Sequence, residues 1–224
     1  MGMFVQLGNF AEEPTLDGDF QERFASRLVS QTRDAREARC NFIIPGSTIV
    51  AAHIAEVPPP PDYRYIAIIT TGDDVLPDIP AAMPGEEPAL RYPVIRRASS
   101  PDRLGRGGTP ESAIAIRQLC LIGRRPDMAP DEFMEYYENN HVPLAEKHLT
   151  SIAAYARYFV QGVADPEFDV ITEICFASAE DHASFMATLG DPAIGEMFAR
   201  DEEKLFDRSS ICLFLVQQVT ASRS

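Results

Sequence analysis

The chain has 224 residues, enough for two small domains or one large one, and 45% of them are hydrophobic, as in a globular protein. Its formal net charge of −14 opposes binding to nucleic acid and to anionic membranes. The sequence contains neither a signal peptide nor an apolar run of the roughly 20 residues that span a bilayer, so we expect a cytoplasmic protein without a membrane partner.

The N-terminal half, residues 1–104, shows the pattern of a strand, a helix and two strands. Phe4–Leu7 is the first predicted strand, and Asp19–Arg39 is the helix. Asn41–Pro45 and Tyr63–Thr71 are the next two strands. This order predicts a degenerate ferredoxin-like half.

Prolines recur between Pro77 and Pro110, and the cluster Gly105–Gly108 lies near the end of this stretch. Proline interrupts regular structure, so we place a linker at residues 105–111. Arg91–Arg97 is compatible with a short edge strand, where proline is tolerated.

The second half, residues 112–224, has the order of a complete β-α-β-β-α-β unit. Its predicted elements are strands at 113–122, 153–161, 168–176 and 211–219, a helix at 130–148, and a helix capped by Ser178. The last strand is apolar on both faces, so a second sheet must cover it. We therefore predict an α+β fold in which two ferredoxin-like units pack sheet to sheet as a barrel. The two halves favour closure within one chain, and they leave room for a homodimer.

Cofactor and metal motifs are missing from the sequence. It has no phosphate-binding loop and no dinucleotide glycine motif. The histidines lack the spacing of metal ligands, so we expect neither a cofactor nor a metal. Four cysteines lie in apolar, strand-like stretches and are expected to be buried thiols: Cys40, Cys120, Cys175 and Cys212.

The helix at 130–148 carries a continuous apolar stripe that includes a titratable ring. At helical spacing the stripe comprises Phe133, Tyr137, His141, Leu144 and His148. His141 thus lies on the packed face, either as a core histidine bonded to a backbone carbonyl or as a functional group.

Two strands supply further polar candidates. Alternation in the strand at 168–176 places Glu173 among apolar neighbours, where a carboxyl group tends toward acid–base work unless water or Arg157 satisfies it. Tyr155 is either an oxyanion donor or a core aromatic. In an alignment of the two halves, His141, Tyr155 and Glu173 correspond to Leu28, Phe42 and Ile66, so the polar positions become apolar in the first half.

A set of motifs in the second half resembles the EthD family of the dimeric α+β barrel superfamily. The resemblance spans roughly residues 112–219 and rests on Leu121–Pro126, Phe133, Tyr137, His141–Leu144, Tyr155, Glu173–Phe176 and Asp201. It implies a pocket between helices and sheet, for which we expect Tyr137, Leu144, Arg157 and Cys175 as lining residues. In methylmuconolactone methylisomerases of this family, a cysteine adjoins the strand glutamate. Here Ile174 occupies that place, which departs from methylisomerase chemistry.

Two functional hypotheses follow. The first is a cofactor-independent acid–base enzyme for a small apolar carbonyl, lactone or phenolic compound, with His141 as base or acid, Tyr155 as oxyanion donor and Glu173 as orienting acid. The second is a non-catalytic binder of a small apolar molecule or an accessory protein to an oxidising enzyme, in which the same polar residues are structural.

Overall fold

A computed structural model describes residues 2–10, 17–49, 63–72, 86–104 and 109–223 of the chain. These residues contain eight strands: β1 (Met3–Phe10), β2 (Ala35–Ile49), β3 (Tyr65–Thr71), β4 (Glu86–Ala98), β5 (Ile116–Arg124), β6 (Ala154–Val160), β7 (Val170–Phe176) and β8 (Phe206–Ser222). Together they form one closed barrel in the order β1-β3-β2-β8-β5-β7-β6-β4, and every neighbouring pair is antiparallel.

The helices pack on the outside of this barrel. They are α1 (Gly18–Gln31), α2 (Pro130–Tyr136), α3 (Val142–His148), α4 (Ala179–Gly190) and α5 (Pro192–Glu202). A π-turn at Tyr137–His141 joins α2 to α3. None of the helices in the described ranges is long and apolar enough to cross a membrane.

The strand order confirms the predicted fold class. The second half has the order β8-β5-β7-β6, and the first half has β4-β1-β3-β2, so each half shows the arrangement 4-1-3-2 of a ferredoxin-like sheet. Two seams, β2 with β8 and β4 with β6, join the two sheets into a barrel within one chain. Residues 73–85, between β3 and β4, lie outside the described ranges.

Closure of the barrel gives the sheet an inner face and an outer face, and both faces carry buried side chains. The inner face is filled by an apolar cluster that includes Leu7, Ile68 and Phe214. On the outer face, α1 covers one cluster and the remaining helices cover another. Burial on both faces explains why β8 is apolar at both parities. The four cysteines are buried free thiols, as predicted.

The boundaries of α1 and β2 differ most from the sequence prediction. Asp17 caps α1 by accepting a hydrogen bond from the Phe20 amide, but the helix ends at Gln31 and not at Arg39. Asp34 has a left-handed φ of 57°, which turns the chain so that β2 begins at Ala35. The predicted strand Asn41–Pro45 is therefore only part of β2.

The predicted edge strand Arg91–Arg97 was wrong in kind. It belongs to the longer β4, which pairs with β1 on one side and with β6 on the other. A closed barrel has no edge strands, so this segment of the proline-rich stretch is an internal strand of the sheet. Residues 105–108 of the predicted linker lie outside the described ranges.

Gly8 allows the backbone of β1 to lie directly against the ring of Tyr65. A Cβ at this position would lie 2.4 Å from the Tyr65 hydroxyl, and Tyr65 is fully buried and hydrogen-bonded to Gln6. We expect Gly8→Ala to lower the free energy of unfolding by about 2 kcal/mol through overpacking, measured by urea denaturation.

The matched control is Gly18→Ala in the first turn of α1, where a Cβ meets nothing within 4 Å. This variant should be as stable as the parent chain or slightly more stable. Equal stability of the two variants would contradict the steric explanation.

Candidate functional site

The segment predicted as one helix at 130–148 is interrupted at Tyr137–His141 by the π-turn. Pro143 explains the interruption, because its ring would clash with the preceding turn of a continuous α-helix, and it lies instead in the first turn of α3. The extra residue shifts the buried stripe. After His141 the buried residues are Val142, Ala145 and Leu149, while Leu144 and His148 are only half-buried.

The π-turn holds His141 against a carboxylate of α5. The His141 Nδ1 lies 2.8 Å from Oδ2 of Asp201, whose Oδ1 accepts a hydrogen bond of 3.0 Å from the Tyr136 hydroxyl. Burial opposes ionisation of Asp201, but the hydrogen bond and charge of His141 outweigh it, and the pKa of Asp201 is lowered. An ionised carboxylate can only accept, so Nδ1 carries the hydrogen and Nε2 is left as the basic atom.

The surroundings of His141 leave Nε2 available to a ligand. The imidazole is 7% exposed and packs edge-on against Tyr137, Phe206 and Phe198, at centroid distances of 4.8, 5.2 and 6.0 Å. Across the described ranges, no residue donates to or accepts from Nε2. The ring lines a cavity, so a small molecule in that cavity can reach this nitrogen.

The cavity lies between the helices and the outer face of the barrel and has a volume of about 80 Å³. That volume accommodates several water molecules but is smaller than the roughly 150 Å³ cavity that holds benzene. Most of the lining is apolar. The polar residues among its lining are Gln118, Tyr137, His141, Tyr155, Thr172 and Glu202. The site therefore suits a small and largely apolar molecule.

Two phenol side chains, those of Tyr137 and Tyr155, line the cavity. The Tyr137 hydroxyl lies 3.0 Å from the Thr172 hydroxyl and 3.5 Å from that of Tyr155. Burial raises the pKa of Tyr155 to about 12, although the charge of Arg157 works in the opposite direction. Burial also raises the pKa of Tyr137. Both phenols are therefore protonated near neutrality and can donate a hydrogen bond.

Arg157 does not line the cavity but holds two of its parts in place. Its guanidinium donates to both carboxylate oxygens of Glu138 in the π-turn, at 2.9 and 2.8 Å. It also covers the Tyr155 ring at 4.7 Å and donates to the Ser99 hydroxyl at 3.0 Å. Arg157 thus connects the π-turn to β6 and to the segment that follows β4.

Glu173 does not share the cavity of His141, contrary to the predicted convergence of His141, Tyr155 and Glu173. Alternation along β7 directs Thr172 to that cavity and Glu173 to the opposite face of the strand. Glu173 instead lines a second cavity of about 150 Å³, and Tyr155 lines both. The carboxylate that orients His141 is that of Asp201.

Inside the barrel, Glu173 belongs to a fully bonded network. It accepts hydrogen bonds from Arg117, from the Tyr158 hydroxyl at 2.8 Å and from Gln218 at 3.3 Å, while Arg39 lies 3.6 Å away. Burial raises the pKa of Glu173, but the charges of Arg117 and Arg39 and the Tyr158 bond prevail and lower it. Glu173 is therefore an ionised structural anchor of the barrel interior.

Of the four residues predicted to line the pocket, Tyr137 lines the cavity. Leu144 packs at the margin of the apolar cluster beneath α3, because the π-turn rotated it away. Cys175 shares the inner face with Glu173 and lies 3.0 Å from Arg117 Nη1. Within the described part of the chain, no group of three or more His, Cys, Asp or Glu residues is arranged to hold a metal ion.

Sequence reasoning missed Thr172, Gln118 and the role of Asp201. Thr172 and Gln118 had a detectable signal, since alternation places each on the outer face of its strand. Asp201 was visible only as part of the family motif. Its distance of 60 residues from His141 left no local pattern that pairs them.

We expect Glu173→Gln to lower the free energy of unfolding by about 3 kcal/mol, because it leaves Arg117 buried with one fewer charged partner. A lowered pKa means that the carboxylate stabilises the fold above the ordinary carboxyl pKa and that this contribution is lost as the pH falls through the lowered value. The difference from the parent chain should therefore shrink below about pH 4 in urea denaturation series.

Glu135→Gln, at an exposed position of α2, is the matched control and should change stability by less than about 0.5 kcal/mol at every pH. A Glu173→Gln variant as stable as this control would contradict the anchoring role.

Comparison with known proteins finds one family whose model overlaps this site. Residues 125–209 match the EthD domain, and this range contains His141, Tyr155 and Asp201. No curated protein sequence matches the chain. The expected resemblance to the EthD family is thus confirmed for the second half.

Solved structures share the fold at low sequence identity. An anthrone oxidase-like protein is 8% identical, with 99% of this chain and 93% of that chain covered and a TM-score of 0.59. Monooxygenase candidates from Fusobacterium nucleatum subsp. nucleatum and Lactobacillus acidophilus NCFM are 6% and 7% identical. They cover 100% and 99% of this chain and 95% of their own, with TM-scores of 0.54 and 0.52. At such low sequence identities, these similarities show a common fold and nothing further.

Proposed function

We propose, from the match of residues 125–209 to the EthD domain and from the cavity that these residues help to line, that this chain is a cofactor-independent acid–base enzyme. Its substrate would be a small, largely apolar carbonyl, lactone or phenolic compound. The observation that carries the proposal is the His141–Asp201 pair, in which a carboxylate binds Nδ1 of a histidine that lines a largely apolar cavity and leaves Nε2 as the atom that can exchange a proton.

The chemistry follows from the positions of the groups. Nε2 of His141 would take a proton from a carbon or hydroxyl group of the substrate, and Asp201 would stabilise the imidazolium that forms. Negative charge that develops on the substrate oxygen would be stabilised by O–H donation from Tyr155 or Tyr137. A bound substrate would displace water from this largely apolar cavity, which would strengthen both interactions.

A non-catalytic binder is the second candidate, and the satisfied phenols favour it. The Tyr137 hydroxyl already has two protein partners in Thr172 and Tyr155, so it needs no substrate to complete its bonding. The small volume of about 80 Å³ also fits a tightly held apolar ligand. In this case His141 and Asp201 would only hold α5 against the π-turn.

The two candidates differ in their response to removal of His141. Incubation of the protein with a panel of lactones, quinones and phenolic acids, followed by mass spectrometry, would detect turnover. We expect His141→Ala to lower kcat by about 10²- to 10⁴-fold, the usual contribution of a general acid or base. Asp201→Asn should cause a smaller loss in kcat, because the imidazole stays but loses its fixed tautomer.

The matched control is His148→Ala, at a half-buried position of α3 outside the cavity lining, which should keep kcat within about twofold of the parent. Ligand-induced stabilisation without any product, in the parent chain and in His141→Ala alike, would favour the binder. Product formation that survives His141→Ala would remove the assignment of His141.

A further inference from the structure

Gln118 has a buried donor that the protein leaves unused. Its side chain lies on the outer face of β5, lines the cavity and is 0% exposed. Its Nε2 makes no hydrogen bond within the described ranges. A buried amide without a partner costs about 1–3 kcal/mol, so its retention in the cavity wall calls for a ligand that completes it.

A histidine lies within hydrogen-bond distance of this amide. His182 Nε2 in α4 lies 3.3 Å from Gln118 Oε1, and its ring packs against Phe176 at 5.0 Å. Burial lowers the pKa of His182, so the ring is neutral near pH 7 and carries one N–H group. When that hydrogen is on Nε2 it is donated to Oε1, and the amide NH₂ then faces the cavity.

Gln118 and His141 line the same cavity from different elements. Gln118 pairs with Ile174, which in turn pairs with Tyr155, so these residues share one level of the sheet. The Tyr155 hydroxyl lies 3.5 Å from that of Tyr137, and the Tyr137 ring packs against His141 at a centroid distance of 4.8 Å. A ligand that accepts a hydrogen bond from Gln118 therefore lies in the same small cavity as the His141 ring.

The charge of the cavity selects the kind of acceptor. Asp201 is ionised beside His141, and Glu202 adds a second carboxyl group to the lining. The whole chain has a net charge of −14. An anionic ligand is disfavoured by this field, whereas an uncharged carbonyl oxygen can accept from Gln118 without opposing it.

We propose that Gln118 is the recognition donor for an uncharged ketone or lactone carbonyl in the cavity, with His182 as the positioning residue for its amide. The proposal rests on the proposed function only in treating this cavity as the ligand site. It narrows the substrate class to compounds that carry a neutral carbonyl oxygen.

Carbon-13 NMR with cyclopentanone labelled at the carbonyl carbon tests this interaction directly. In the parent protein we expect saturable binding and a downfield shift of the carbonyl resonance, as for an oxygen that accepts a hydrogen bond. In Gln118→Leu, which keeps side-chain volume but lacks the donor, the shift should disappear and Kd should rise about 10-fold. His182→Leu should reduce the shift without abolishing it.

Two control variants keep the outcomes distinct. Gln31→Leu, exposed at the end of α1, should match the parent, and thermal unfolding should show that Gln118→Leu remains folded. An unchanged shift and Kd in Gln118→Leu, or no binding of cyclopentanone to the parent, would overturn the proposal. His141→Ala should retain the shifted resonance. If the substrate panel yields no product while the shifted resonance persists, the proposed function is wrong and the role of Gln118 is kept.

Discussion

The sheet of this barrel buries side chains on both its inner and its outer face, and the rest of the structure depends on that constraint. Closure of eight strands removes the edges and leaves an interior that only side chains can fill. A polar group on either face then needs a partner, because water cannot supply one. In the interior, the polar groups around Glu173 bond to one another. On the outer face, the hydroxyls of Tyr137, Tyr155 and Thr172 do the same.

The two halves use the same strand order but fill the space beneath their helices differently. Under α1 the side chains of Phe24, Leu28 and Phe42 belong to an aromatic and aliphatic layer. The space beneath the helices of the second half contains His141 and Tyr155 and keeps a cavity.

The fold class could be predicted because periodicity along the chain records which faces are buried. The order of elements in the second half and the apolar character of β8 at both parities were sufficient for a sheet packed on a second sheet. Local detail was less accessible. The end of α1 depends on the backbone of Asp34, and the π-turn depends on how Pro143 is accommodated, and neither alters the hydrophobic pattern enough to be recognised.

For the site, residue types were predicted more successfully than their partners. Alternation correctly separated Glu173 from Thr172, yet it could not say which face borders the cavity. The pairing of His141 with Asp201 depends on the packing of α5 over the π-turn, a contact between segments far apart in the sequence. Long-range partners of this kind follow from the three-dimensional arrangement and leave no spacing rule in the chain.

The seam between β2 and β8 also bears on the order in which the molecule is made. β8 is the last of the eight strands, and it pairs with β2 of the first half as well as with β5. On the ribosome, β2 and β3 emerge long before β8, so the β2 edge must wait unpaired until the final strand has been synthesised. The barrel closes only when β8, the last strand to be synthesised, has paired. A nascent chain halted before residue 206 would expose an unpaired sheet edge to the translation machinery and its chaperones.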